Sequence, residues 1–117
     1  MTVKQTLGQQ GEDLAATYLQ QQGYEILARN FRCHKGELDI ICCWQGELVF
    51  VEVKTRRNLN FGYPEEAITA KKRATIRSVA LTWLQQERWP YQGMRFDVIS
   101  IIMSGETPGI NHIKNAF

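Results

Sequence analysis

Residues Gly36 to Arg56 read GELDIICCWQGELVFVEVKTR. Two apolar, branched runs flank Gln45-Gly46, and the glycine supplies the positive φ that a tight hairpin requires. Antiparallel strands are therefore expected over Glu37 to Trp44 and Glu47 to Thr55. With a two-residue loop, or a four-residue loop about the same centre, Asp39 faces Glu52 and Glu37 faces Lys54. The side-chain period of two then puts all four on one face. A three-residue loop removes this alignment unless a bulge restores it. Directly opposed Cβ atoms lie about 4.5–5.5 Å apart, so the carboxylates of Asp39 and Glu52 are forced together. A sheet chosen for stability alone avoids that pairing, whereas a divalent cation between the oxygens turns repulsion into coordination.

Upstream, Val3 to Gln22 is rich in helix formers. Leu14, Ala15, Tyr18 and Leu19 make an apolar stripe, and Gly23 is placed as a C-terminal stop. Glu12 falls on the inward stripe of this helix, three before Ala15 and seven before Leu19. A charge there needs a partner, and Lys54 is one choice. Tyr24 to Cys33 reads as a first strand, closed by a turn at His34-Lys35-Gly36.

Downstream, Arg56 to Tyr63 is polar and reads as a loop. Pro64, Glu65 and Glu66 suit the start of a second helix reaching about Arg88, with Ile76, Val79, Ala80 and Trp83 at helical spacing. Arg95 to Met103 reads as a further strand, which a helical crossover would allow to pair parallel to its predecessor, and Ile110 to Phe117 is a candidate for a short last one. The order helix, three strands, helix, strands is an α/β pattern with a mixed sheet flanked by helices.

The 117 residues suit one domain spanning 1–117, and 44% apolar with 22% charged residues exclude a disordered tail or a coiled coil. Fourteen Lys and Arg against twelve Asp and Glu leave a net charge of +2, too slight to imply nucleic-acid binding by itself. Three cysteines, two adjacent, form neither an ordinary bridge nor a zinc knuckle, and fit a reducing compartment. No apolar run is long enough to cross a bilayer and the first residues carry no signal-peptide core, so a cytoplasmic protein without membrane attachment is expected.

Glu52-Val53-Lys54, ending an apolar strand beside Asp39, looks like the PD-(D/E)xK signature of restriction-endonuclease-like nucleases, with Leu38 where the signature has proline. More specific is an ordered series: GEDLAATYL from Gly11, GYEILARNFR from Gly23, GELDII from Gly36, VFVEVKTR from Val49, FG at Phe61, KK at Lys71, RFDVI from Arg95 and NAF from Asn115. Covering nearly the whole chain, it resembles the YraN-like family of small bacterial proteins, related in fold to archaeal Holliday junction resolvases.

The resemblance implies a restriction-endonuclease-like domain that hydrolyses DNA phosphodiester bonds, with branched or repair intermediates as substrates. Its metal, Mg²⁺ or Mn²⁺, would be held by Asp39, Glu52 and the main-chain carbonyl of Val53, with Glu12 as a further, water-mediated ligand. Lys54 would orient the attacking water or stabilise charge on the phosphate. Hard oxygen donors suit those cations. Nucleases related in fold often dimerise, and an apolar sheet edge here permits a homodimer.

Arg56 and Arg57 follow the ExK strand, and Lys71, Lys72, Arg73 and Arg77 crowd the second helix. These are the candidate contacts to a nucleic-acid backbone, although a charge run on a helix is usually a solvated face. For any single acid or lysine of the set, an ordinary salt bridge is the commoner role. Glu37 is either an auxiliary acid or a cross-hairpin partner of Lys54, the second carrying more weight. Asp97 is expected to pair with Arg95, Phe61 and Tyr63 to pack in their loop, and the tryptophans to serve the core. His34 and His112 are expected at turns or the surface. The alternative to a nuclease is a non-catalytic nucleic-acid-binding module that retains the fold.

Overall fold

In the computed structural model, residues 5–58 and 68–117 are described. The elements run α1 (Leu7–Gln21), β1 (Glu25–Cys33), β2 (Gly36–Trp44), β3 (Glu47–Arg56), α2 (Ala70–Glu87), β4 (Gly93–Ile102) and β5 (Gly109–Ile113). The five strands form one mixed sheet in sequence order, antiparallel except for the β3–β4 pair, which α2 connects as a crossover. This is the expected α/β architecture.

The hairpin turns at Gln45 (φ 49) and Gly46 (φ 85), and Trp44 pairs with Glu47. Positive φ at both central residues is the two-residue turn whose twist matches that of paired strands. Its register then runs Cys43 to Leu48, Cys42 to Val49, Ile41 to Phe50 and Ile40 to Val51. Strand β3 is buried on both faces, as the middle of a three-layer domain must be. Val49, Val51 and Val53 pack with Ala15, Ala16 and Leu19 of α1 on one side. Leu48 and Phe50 pack with Ile76, Val79, Ala80 and Trp83 of α2 on the other.

Both helix starts differ from the sequence expectation, for one reason. Thr6 caps α1, its hydroxyl accepting from Gln9 N–H at 3.2 Å while the Gln9 side chain accepts from Thr6 N–H at 3.1 Å. This reciprocal cap fixes the start at Leu7 rather than Val3, which lies outside the described residues. Thr69 caps α2 in the same way, accepting from Lys72 N–H at 3.1 Å, so α2 begins at Ala70. The start expected at Pro64, the loop residues from 59 to 63 and the aromatic pair Phe61 and Tyr63 lie outside the described residues. Gly23 (φ 91) follows the C-cap Gln22 as expected.

Helix α1 meets β3 near its C-terminal end. Gly11 of α1 stands against Thr55, where a Cβ would collide with the threonine Oγ1 and lie 2.8 Å from its Cβ. Only a residue without a side chain permits this approach, and it sets Glu12 beside the strand end. Gly11→Ala is expected to cost about 1–3 kcal/mol through overpacking against a stiff β-branched residue, read as a lowered denaturation midpoint. An unchanged midpoint contradicts the close contact.

Two of the buried polar residues, Arg95 and Asp97, lie on the α1 face. Asp97, fully buried, accepts from Arg95 Nε and Nη2, both at 2.9 Å, as expected. Contrary to the surface role expected for it, the His112 side chain is buried, with Nε2 2.7 Å from Asp97 Oδ2 and Nδ1 3.1 Å from the Tyr18 hydroxyl. Trp83 is a core residue and Trp44 stacks on Tyr24, whereas Trp89 is exposed, contrary to expectation. The cysteines are free, and burial pushes the Cys42 thiol up to about 12.

Candidate active site

The β2–β3 ladder pairs residues from the turn as far as Ile40 and Val51. One step on, where Asp39 reaches Glu52 in the same register, the side chain of Asp39 takes over: Val53 N–H donates to its Oδ2 at 2.8 Å. The strands therefore fork at Asp39. Asn30 on neighbouring β1 adopts φ 52. Around it the alternation slips, since Ala28 and Phe31, three apart, share the α2-side cluster, and so do Leu38 and Ile41. Ile40 packs on the α1 side. Held between the strands, the Asp39 carboxyl is near enough to Glu12 of α1 and to Glu52 of β3 for its charge to act on both.

The slip corrects one part of the sequence reading. Glu37 does not face Lys54; it pairs with Arg32 Nε at 3.4 Å. The Asn30 amide, turned to suit its neighbours, donates to Glu37 at 3.2 Å and to both Glu12 oxygens at 3.1 and 3.3 Å. Asn30 was not legible as a site residue, because only its left-handed backbone and the face slip aim its side chain at Glu12. Lys54 pairs not with Glu12 but with Glu52, its Nζ 3.8 Å from Oε1.

Electrostatically the acids are in conflict. Burial, and then the charge of Asp39, push both Glu12 and Glu52 up to about 7, with Lys72 and Lys54 partly offsetting this at Glu52. Glu52 is 5% exposed, and its Oε2 has no hydrogen-bond partner. A buried oxygen of that kind costs stability unless something cationic or protic meets it. In an extended strand a residue's N–H and C=O point to the same side, so the Val53 carbonyl also faces the fork. The oxygens present suit a hard divalent cation, although among the described residues no group of three or more His, Cys, Asp or Glu side chains stands ready-spaced for a metal ion.

The basic residues separate into kinds. Lys72 comes to the acids, with Nζ 3.9 Å from Glu52 Oε1. Arg73 and Arg77 lie over the Phe117 ring, 6.0 and 5.4 Å from its centroid, and Arg77 also over Phe96. Arg56 donates to the Thr55 carbonyl at 3.0 Å, while Lys71 and Arg57 are exposed. A cleft of about 300 Å³ opens beside Glu12, lined also by Thr6, Gln9, Asn30, Arg32 and Glu37. A larger groove of about 610 Å³, with Leu14, Tyr18, Met103 and Ile110 in its wall, includes none of Glu12, Asp39, Glu52 or Lys54.

These features define a mixed α/β domain with a carboxylate–lysine cluster at a strand fork. Residues 11–101 match the family described as "Uncharacterised protein family UPF0102", and the chain belongs to that family, in keeping with the YraN-like resemblance. Similar proteins are the UPF0102 protein of Nocardia farcinica, 52% identical over 97% of this chain and 91% of its own, and that of Geobacter metallireducens, 51% identical over 96% and 92%. The UPF0102 protein of Caldicellulosiruptor saccharolyticus is 49% identical over 97% and 98%. Among the described residues no helix is long and apolar enough to cross a membrane.

Proposed function

We propose that the protein is a restriction-endonuclease-like, metal-dependent nuclease acting on DNA. The observation that carries this reading is the unpartnered, buried Glu52 Oε2 beside the like-charged Asp39. Two acids held in that relation destabilise the free protein, and a cation between them removes the conflict. Asp39, Glu52 and the Val53 carbonyl would hold Mg²⁺ or Mn²⁺, with Glu12 behind them through water. Such a cation supplies charge neutralisation and Lewis acidity to a phosphodiester. Lys54, its ammonium 3.8 Å from Glu52 Oε1, would orient an attacking water or meet charge developing on the phosphate. Asp39 is the pivot of the arrangement, because Val53 N–H holds its Oδ2 at 2.8 Å and so fixes the carboxyl in place. The backbone contacts fall to Arg56, Arg57, Lys71, Arg73 and Arg77.

The test is calorimetric titration of Mn²⁺ and Mg²⁺ into the wild type and Asp39→Ala, with the same samples incubated on labelled junction, flap, duplex and single-stranded DNA. Wild-type binding that is lost in Asp39→Ala, with cleavage lowered by about 10²–10³-fold or more, is the expected result. Cleavage that survives Asp39→Ala removes the assignment. DNA binding that survives EDTA and loss of the acids, with a steep salt dependence and no cleavage, identifies the non-catalytic module instead. That second reading draws on the first turn of α2, which has three consecutive basic residues and no acid.

A further inference from the structure

Lys54 and Lys72 reach the same oxygen from different layers of the fold. Their ammonium groups stand 3.8 and 3.9 Å from Glu52 Oε1. Both separations exceed the roughly 2.7–2.9 Å of a charge-assisted hydrogen bond. Two cations are thus drawn toward one carboxylate and neither is locked onto it. The backbone of Lys72 is nevertheless fixed, since its N–H donates to the Thr69 cap and it belongs to the first turn of an 18-residue helix. Lys71 and Arg73 share that turn with no acid among them. A helix N-terminus is the positive end of its dipole, so cations gathered there are unfavourable in the free protein and an arriving anion relieves them. The Lys72 side chain is 40% exposed against 23% for Lys54, which makes Lys54 the inner cation and Lys72 the one facing incoming substrate.

The geometry points to Lys72 as a substrate-contacting residue of the site, a helix-borne second cation that grips the phosphodiester under attack. This rests on the nuclease reading and departs from the role its sequence suggests, that of one contact in a general basic run. With a divalent cation at Asp39 and Glu52, the attraction that draws Lys72 toward Glu52 is cancelled. Its ammonium is then available to a phosphate oxygen, opposite Lys54.

The experiment compares wild type, Lys72→Ala, Lys72→Arg and the exposed turn variant Lys35→Ala, which controls for loss of one positive charge. Each is titrated with Mn²⁺ by calorimetry, melted, and assayed for cleavage at saturating labelled DNA. Lys72→Ala is expected to slow cleavage about 10²-fold while Mn²⁺ affinity is kept or rises, because a neighbouring positive charge has gone. Lys72→Arg recovers most of the rate, and Lys35→Ala matches wild type. If Lys72→Ala cleaves like Lys35→Ala in an active wild-type background, the inference is overturned and the nuclease reading stands. A Lys72→Ala variant that loses Mn²⁺ binding and melts lower assigns the lysine to supporting Glu52 and also overturns it. Wild type that neither binds Mn²⁺ nor cleaves overturns the nuclease reading, and this inference with it.

Discussion

In EDTA the protein is expected to melt at progressively lower temperature as the pH is raised from about 5 to 8, and Glu52→Gln is expected to abolish most of that decline. In the unfolded chain Glu52 loses its proton near 4.5, and in the native protein near 7. The folded value is the higher one, so between the two the native state holds a proton that the unfolded state has released. Stability is therefore fully present below about 4.5 and is lost as the pH rises through about 7. The cause is burial first and the Asp39 charge second. Glu12 shifts in the same direction but is half-exposed, so solvent screens its contribution. For Glu52, 5% exposed, the loss is on the order of 3 kcal/mol. Glutamine keeps the shape without the charge, so the variant should be the more stable protein at pH 8 while no longer binding Mn²⁺. Saturating Mn²⁺ should flatten the wild-type profile. A wild-type profile already flat in EDTA, or one that Glu52→Gln leaves unchanged, contradicts this account of the acids.

Asp97→Ala is expected to destabilise the protein by roughly 3–5 kcal/mol, the cost of stripping the partner from a buried charge. Arg95 is 6% exposed and has both Nε and Nη2 on the Asp97 oxygens. The same carboxylate accepts from Asn115 N–H at 3.1 Å and meets His112 at 2.7 Å. Burial opposes its charge, yet the hydrogen bonds from His112, Arg95 and Asn115 together hold Asp97 below the usual carboxylate range. Truncation leaves a guanidinium in the interior with Tyr24 and the half-exposed Glu47 as its remaining polar partners. It also releases His112 of β5, the edge strand, which pairs with β4 alone among the described strands. Urea unfolding followed by tryptophan fluorescence measures the loss. A shift below 1 kcal/mol assigns the network a marginal role.

What was legible in the sequence was local. The Gln45-Gly46 turn and the period of two sufficed to bring Asp39 to Glu52, because a tight hairpin fixes register by itself. Glu12 on the inward face followed from helical spacing, and the parallel β3–β4 pair from the helix that lies between the two strands. The errors arise where tertiary placement decides. Thr6, with Gln9, and Thr69 start their helices through side-chain caps, and helix-forming or proline-led residues upstream of them drew the expected starts too early. Glu37 was misdirected because the left-handed Asn30 breaks the alternation that the register argument assumes. His112 was invisible as a core residue, since its partners Tyr18 and Asp97 lie 94 and 15 positions away. Lys72 differs from Lys71 only through where α2 docks.

Because the Asp39 carboxyl stands where a main-chain acceptor would, the acids of the fork belong mechanically to the sheet. Asp39 is tied to Val53, and Glu52 neighbours Val53 along the same strand, so the spacing of these oxygens travels with the hairpin as a rigid unit. Lys72 belongs to another body, attached through the apolar seam between α2 and the sheet. The packing of Ile76, Val79, Ala80 and Trp83 against the sheet sets how closely Lys72 approaches Glu52, and the tie between Asp39 and Val53 does not depend on it. The carboxylate spacing is thus set within one layer of the fold and the approach of the helix-borne cation by the docking of another, so a change in the α2 seam would reach Lys72 without reaching the Asp39–Val53 tie.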